Sequence, residues 1–533
     1  MGLMVRPEVT KLPDGSKIWE HEYEQFFLKA YVPATDIDGQ VNNYGFRTPL
    51  LLVFEEQKQS MEDAISFARS SGLSDIASNA DSSVLFIYPT CPGGWANATE
   101  DLYISLIAEV RNHPEYEDGI ASVFDFFAQE FKGYFIRGAI FRADIYSFGE
   151  SADYVAKNLL KKLDGEYLWG PGEITPAMCS MERLSVMPDV RRKDIAILSV
   201  GNSDEINASF AECEHLLIKD RADYKEDFKK FVRLFKMWCG KIEYEPIFED
   251  LGMTEEAGST EVLTSLDNKG RFKDSKEHKV GYFAYYNNGI FDKGPVPLVV
   301  GFHGGGDSSM YLTFVAEWWR VCHDHNFLFV SIDNHMDVTA TEAIAVIEDL
   351  KTKYKIDDKR IYASGFSMGS GKTWDLYQEY PEVFAGLMPC SALFPIKDNP
   401  WGLSLGDPGL NTTVSVPLFY SGGEESHLPE LPFQAESCLD RIKYAAATNK
   451  LKERFDSVEF SGKDSWADRI YGIPGDKVEQ FYDETRGSTL TVNYYESEDG
   501  VIRTAFGSVS GQVHECRHHS IECAWKFISK FSK

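Results

Sequence analysis

Residues 360–374 read RIYASGFSMGSGKTW. Two chemistries compete for this stretch. Its end, Gly371-Lys372-Thr373, resembles a phosphate-binding loop, but such a loop needs a further glycine five positions before the one that precedes the lysine. Phe366 stands there, and Gly365 lies one position too far. Consecutive amides wrap the phosphate, so a slip of one residue changes which N–H groups point inward. An ATP site is therefore not expected. The alternative is Gly365-Phe366-Ser367-Met368-Gly369, a serine with glycine two places to either side. The preceding KRIYAS is short, apolar and β-favouring, and the following GSGKTWDLYQEY reads as a helix closed by Pro381. Gly-x-Ser-x-Gly between strand and helix is the pattern of a nucleophile elbow, a turn so tight that only small residues fit beside the serine. A glycine-rich turn without chemistry has the same five letters, so partner residues must decide.

A serine hydroxyl needs backbone donors for the oxyanion, a base for its proton and a carboxylate to orient the base. The run GFHGGGDSS (301–309) follows the strand pattern PLVV about sixty residues before the elbow. Glycines there let main-chain N–H groups approach a developing charge that side chains would block. Gly304 or Gly305, with the amide of Met368, are the candidate donors. The acid is expected after a later strand, and VPLFYSGGEESHLPE supplies Glu424, Glu425 and Glu430. Glu425 is favoured and Glu424 is second, because an internal repeat places Asp204 on Glu425. The base is expected near the end of the chain, before a final helix. GQVHECRHHSIECAWKFISKF offers His514, His518 and His519. His514 lies in the loop and is the choice, while His518 and His519 open the helix. A zinc site built from His514, Cys516, His518, His519 and Cys523 is the rival. It lacks paired Cys-x-x-Cys spacing, and its members face different sides of one helix. His427 either lines the pocket or lies on the surface.

The rest of the composition sets bounds. The chain has 533 residues, 43% hydrophobic and 14% aromatic, enough for two large globular domains. A formal charge of −29 argues against nucleic-acid and anionic-membrane partners, which need clustered Lys and Arg. No run of eighteen apolar residues suggests a membrane span. The opening MGLMVRPEVTKLPDG lacks a signal-peptide core, and Arg6 breaks the myristoylation pattern. Nine scattered cysteines suit reduced thiols and a cytoplasmic location, although a secreted chain trimmed of its signal would read the same.

The same plan occurs twice. TPLLLVFEEQKQSMEDAISFA (48–68) lies on VPLVVGFHGGGDSSMYLTFVA (296–316), pairing Phe54 with Phe302. Likewise ADIYSFGESADYVAKNL (143–159) lies on the elbow region, and IAILSVGNSDEINASFAECEHLL (195–217) on the acid region. The three pairs keep their order. The expected fold class is α/β, as two tandem domains, 1–240 and 241–533, each a mostly parallel sheet flanked by helices. The acidic EPIFEDLGMTEEAGS near the boundary reads as irregular. Residues 444–492 break the strand–helix alternation and read as a lid or a plain surface excursion. Trp401, Trp466 and Tyr471 would suit a phenolic substrate or simply fill the core.

The first half has lost the chemistry on this reading. Its elbow-like SFGESAD offers Gly149, Ser151 and Ala152, and Glu55-Glu56-Gln57-Lys58 replaces the histidine-glycine run. Carboxylates there would repel an oxyanion. His21 and His113 precede the elbow and His215 falls within an expected helix, so no base is placed. Residues 1–240 are expected to be a non-catalytic copy.

The His-Gly-Gly-Gly run, GFSMGS, the glutamate loop and the late His-Glu before AWKFISKF resemble the α/β-hydrolase superfamily. Within it they are similar to enzymes of the polyhydroxybutyrate-depolymerase and feruloyl-esterase type. The resemblance covers residues 260–533 well and 1–240 as a degenerate echo. It implies a serine ester hydrolase with Ser367, Glu425 and His514 as triad, no cofactor and no metal. The substrate would be a small or oligomeric ester: feruloyl, acetyl or hydroxyalkanoate. Family members commonly carry aspartate where this chain has glutamate, and many are secreted. A peptidase acting on short peptides, or a binding protein silent in both halves, are the alternatives. Oligomeric state is left open.

Overall fold

In the computed structural model the described residues are 8–34, 49–80, 82–112, 115–116, 119–120, 139–160, 176–191, 193, 195–237, 244–264, 276–304, 309–332, 339–393, 409–452, 455–460, 471–484 and 487–533. The chain forms two compact units, Met1–Ile247 and Phe248–Lys533, dividing a few residues beyond the expected boundary. Each is an α/β unit built on one large mixed sheet.

In the second unit the strand order is Met253–Thr264, Lys276–Asn287, Leu328–Ile332, Val296–Phe302, Ile356–Phe366, Gly386–Cys390, Leu418–Gly423, Ile502–Val509, Ser488–Glu496 and Lys477–Asp483. The middle six run parallel, with antiparallel strands at both edges. Strand Val296–Phe302 is buried almost end to end, as expected of a central strand covered by helices on both faces. It lies between Leu328–Ile332 and Ile356–Phe366. Chain order therefore reverses around it, which makes the carboxyl ends of these strands the natural crevice of the sheet.

The first unit repeats this centre. Strand Pro49–Phe54 lies between Val84–Pro89 and Ala139–Phe148, parallel to both. Met178–Glu182, Ala196–Val200 and His215–Lys219 continue the parallel run. Phe26–Val32 and Lys17–Glu22 add antiparallel strands at the other side.

Several expectations need correction. The acidic stretch after residue 250 is not irregular: Met253–Thr264 pairs along its whole length with Lys276–Asn287. His215 opens a strand rather than lying in a helix. After the central strand the chain forms not one helix but a π-turn, Tyr311–Val315, and a helix, Trp318–His325. Glu317 between them takes a left-handed conformation (φ 55°). The described part of 444–492 is mostly sheet: Lys477–Asp483 and Ser488–Glu496 extend the edge. Residues 461–470, including Trp466, lie outside the described residues, as do 401–408 with Trp401 and residues 113–114 with His113. Tyr471 is a core residue whose hydroxyl donates to Gly507 O at 2.5 Å.

The glycines of the elbow have a steric cause. A Cβ on Gly365 would sit 2.0 Å from Gly369 O, and one on Gly369 would sit 1.9 Å from Phe302 O. The elbow helix, Met368–Glu379, therefore starts in backbone contact with the end of the central strand. Gly369→Ala must push these apart, an overpacking that costs about 3 kcal/mol. A thermal unfolding scan should show a clear fall in the midpoint against wild type; an unchanged midpoint would contradict this packing.

Candidate active site

Ser367 caps the elbow helix with φ 52° and ψ −115°, a conformation rarely populated by residues other than glycine. Its backbone N–H donates to Cys390 O at 3.0 Å, tying the turn to the neighbouring strand. Its Oγ lies 2.9 Å from His514 Nε2. The other ring nitrogen, Nδ1, lies 2.5 Å from Glu430 Oε1. A carboxylate only accepts, so Nδ1 carries the ring proton and Nε2 is left to accept from the serine hydroxyl.

Ser367 and His514 are thus brought together as expected, but the favoured acid is not. Glu425 is exposed, its amide donating to Gln512 O at 3.0 Å, and Glu424 is held through its amide to Val509 O at 3.0 Å. Neither carboxylate meets the imidazole in the hydrogen-bond pattern of the site. The loop leaves the sheet at Gly423, passes through the exposed 427–429 segment, and returns to bury Glu430 completely. Glu430 Oε2 accepts from Gly423 N at 2.6 Å, leaving Oε1 for His514. The repeat misled because Asp204 begins a short helix, Asp204–Ser209, capped by Ser203. The usable signal lay in the flanks: Glu430 precedes Leu431 and Phe433, both buried, whereas Glu424 and Glu425 stand in a polar run.

Tight backbone approach also fixes the histidine loop. A Cβ on Gly423 would meet Gln512 O at 2.3 Å. Ser391 Oγ donates to Glu515 O at 2.7 Å, and Cys516 N donates to the Tyr311 hydroxyl at 3.2 Å. Tyr311 stacks on Phe366 with centroids 4.5 Å apart, and Phe366 lies 4.9 Å from the His514 ring. Tyr311 drew no notice in the sequence, because nothing local marks a core tyrosine that pins a distant loop. Burial, then the charge of Glu430, push the Tyr420 phenol well above its ordinary range. It therefore stays a donor, and it donates to Glu430 O at 2.6 Å.

Of the expected oxyanion donors, Met368 is the first residue of the elbow helix, where an amide has no partner within the helix. Gly304 is the second residue beyond the central strand, and its carbonyl lies 2.7 Å from His303 Nδ1. Gly305 lies outside the described residues. His518 and His519 open the last helix, His518–Ile528, as expected. Among the described residues no group of three or more His, Cys, Asp or Glu could hold a metal ion, and no helix is long and apolar enough to cross a membrane.

The first unit holds a different group at each corresponding place. Gly149, not Ser151, takes the elbow conformation, with φ 54° and ψ −121°, and its N–H donates to Glu182 O at 2.8 Å. Ser151 instead matches Gly369, and its hydroxyl donates to Phe54 O at 2.7 Å. A Cβ on Gly149 would meet Glu56 Oε1 at 2.1 Å, so the glutamate fills the space a nucleophile would need. Glu56 pairs with Arg183 at 2.7 Å, and Glu55, in the place of His303, pairs with buried Lys29 at 2.8 Å.

No family model matches the chain. Over 104 residues it is 28% identical to the bifunctional acetylxylan esterase/xylanase of Neocallimastix patriciarum, a stretch covering 18% of this chain and 16% of that enzyme. Solved structures that it resembles include several esterases. An acetyl xylan esterase from Aspergillus awamori is 12% identical, with TM-score 0.33, covering 51% of this chain and 99% of its own. A feruloyl esterase module from Clostridium thermocellum is 12% identical, with TM-score 0.31, covering 54% of this chain and 92% of its own. A thermostable esterase is 19% identical, with TM-score 0.26, and this chain spans about half of its length, 52%.

The corrected acid gives a direct check. Glu430→Gln should slow labelling of Ser367 by a fluorophosphonate about 10³-fold, as loss of the orienting carboxylate does in serine triads. Glu425→Gln should label at close to the wild-type rate. The reverse ranking would return the role to Glu425.

Proposed function

We propose that the second unit hydrolyses carboxylic esters through an acyl-enzyme formed on Ser367. The observation that carries this reading is the continuous hydrogen-bonded line from Ser367 Oγ through both nitrogens of His514 to buried Glu430. Ser367 Oγ attacks the ester carbonyl as His514 Nε2 takes its proton, and Glu430 stabilises the imidazolium and holds its orientation. The tetrahedral oxyanion is held by the amide of Met368 together with the glycine loop that begins at Gly304. His514 then gives its proton to the departing alkoxide, breaking the C–O bond. Water, deprotonated by the same nitrogen, releases the acid and restores the serine. No metal or cofactor enters these steps. Acetyl, feruloyl and hydroxyalkanoate esters are the proposed substrate classes. The first unit is proposed to be non-catalytic, since a glycine stands where the nucleophile would be.

Ser367→Ala should lower turnover of short p-nitrophenyl esters about 10⁴-fold or more with an unchanged circular dichroism spectrum. Full turnover in that variant would end the assignment. Ser151→Ala in the first unit should keep turnover within about twofold, because its hydroxyl serves only local backbone groups. A large loss would show that the first unit takes part in the chemistry.

A further inference from the structure

The relay leaves one histidine beside it unused. His427 is exposed on the loop between Gly423 and Glu430, and its ring lies 5.7 Å from that of His514, edge to face at 76°. Two rings lie beside His514: Phe366, which is buried, and His427, which is exposed. The loop that carries it is tied at both ends. Glu424 N and Glu425 N donate to Val509 O and Gln512 O, each at 3.0 Å. Glu430 N and Leu431 N share Gln434 Oε1 at 2.7 and 2.8 Å, and Leu428 N donates to Ser426 Oγ at 3.1 Å.

We propose that His427 is a specificity-determining residue for the leaving alcohol, hydrogen-bonding a hydroxyl carried one or two carbons from the ester oxygen. This rests on the ester-hydrolase reading of the same site. His514 must deliver its proton to the departing oxygen, so the leaving group lies against Nε2 during that step. His427, the exposed ring beside His514, is then placed to meet the rest of the alcohol. An imidazole both donates and accepts, which suits a hydroxyl. Glu424 and Glu425 on the same loop disfavour an anionic alcohol, as does the net charge of −29. A neutral, hydroxylated alcohol is the class that an imidazole in this position suits.

The test compares a glyceryl and a propyl ester of the acyl group that p-nitrophenyl esters show to be turned over fastest. Wild type should favour the glyceryl ester in kcat/KM. His427→Ala should lower that preference about tenfold, the worth of roughly one hydrogen bond, and His427→Asn should recover part of it. Equal loss on both esters, an unchanged ratio, or no preference in wild type overturns the proposal. Fluorophosphonate labelling separates the causes: a wild type that labels at Ser367 with an unmoved ratio sinks only the role of His427. A wild type that neither labels nor turns over any ester sinks the ester-hydrolase reading together with it.

Discussion

Gly369 rests against the carbonyl of Phe302 at a distance that admits no side chain. This contact joins the start of the elbow helix to the end of the central strand, and the site is built around it. It brings the start of the elbow helix at Met368 against the backbone of Phe302 and His303, just before Gly304. It also requires the abrupt turn at Ser367, whose strained backbone is held by the bond from its N–H to Cys390 O. Strain of this kind persists only where the surroundings over-determine it. Here a parallel sheet, buried on both faces, supplies that constraint.

The base is placed by a second set of close approaches. Gly423 lets the backbone at Gln512 and Val513 cross the end of its strand, while its own N–H holds Glu430. A fully buried carboxylate is costly unless hydrogen-bonded. Glu430 meets that condition by splitting its oxygens between a backbone amide and the imidazole. The arrangement orients His514 from below. Phe366, stacked on Tyr311, and His427 both lie against its ring.

The two units carry different side chains at corresponding places of a shared scaffold. Both have a central strand between parallel neighbours, and both make a sharp turn into a helix. Arg183 and Ser391 even share a left-handed backbone, φ 58° and 56°. Yet Gly149 stands for Ser367, Glu55 for His303 and Arg183 for Ser391. Ion pairs, Lys29–Glu55 and Arg183–Glu56, occupy what in the second unit is the surround of the nucleophile. A fold provides the crevice; side chains at a few positions decide its use.

Local pattern was enough to locate the elbow and the two-fold repetition of the architecture. Each depends on short-range sterics or periodicity: glycines where backbones touch, apolar runs where strands are covered on both faces. His514 was legible because the loop before a final amphipathic helix is a position defined along the chain. The acid was not, because which of three glutamates turns inward depends on how a seven-residue loop, 424–430, is tied down at Gln512 and Gln434. Alignment of the repeat placed Asp204 on Glu425 and Ser151 on the nucleophile, and only the strand register showed Gly149 there. The sequence by itself thus determined the parallel α/β units and the serine and histidine of the relay. Tertiary structure alone decided the third member, since which carboxylate reaches His514 depends on how the loop's backbone is tied to a segment more than eighty residues away.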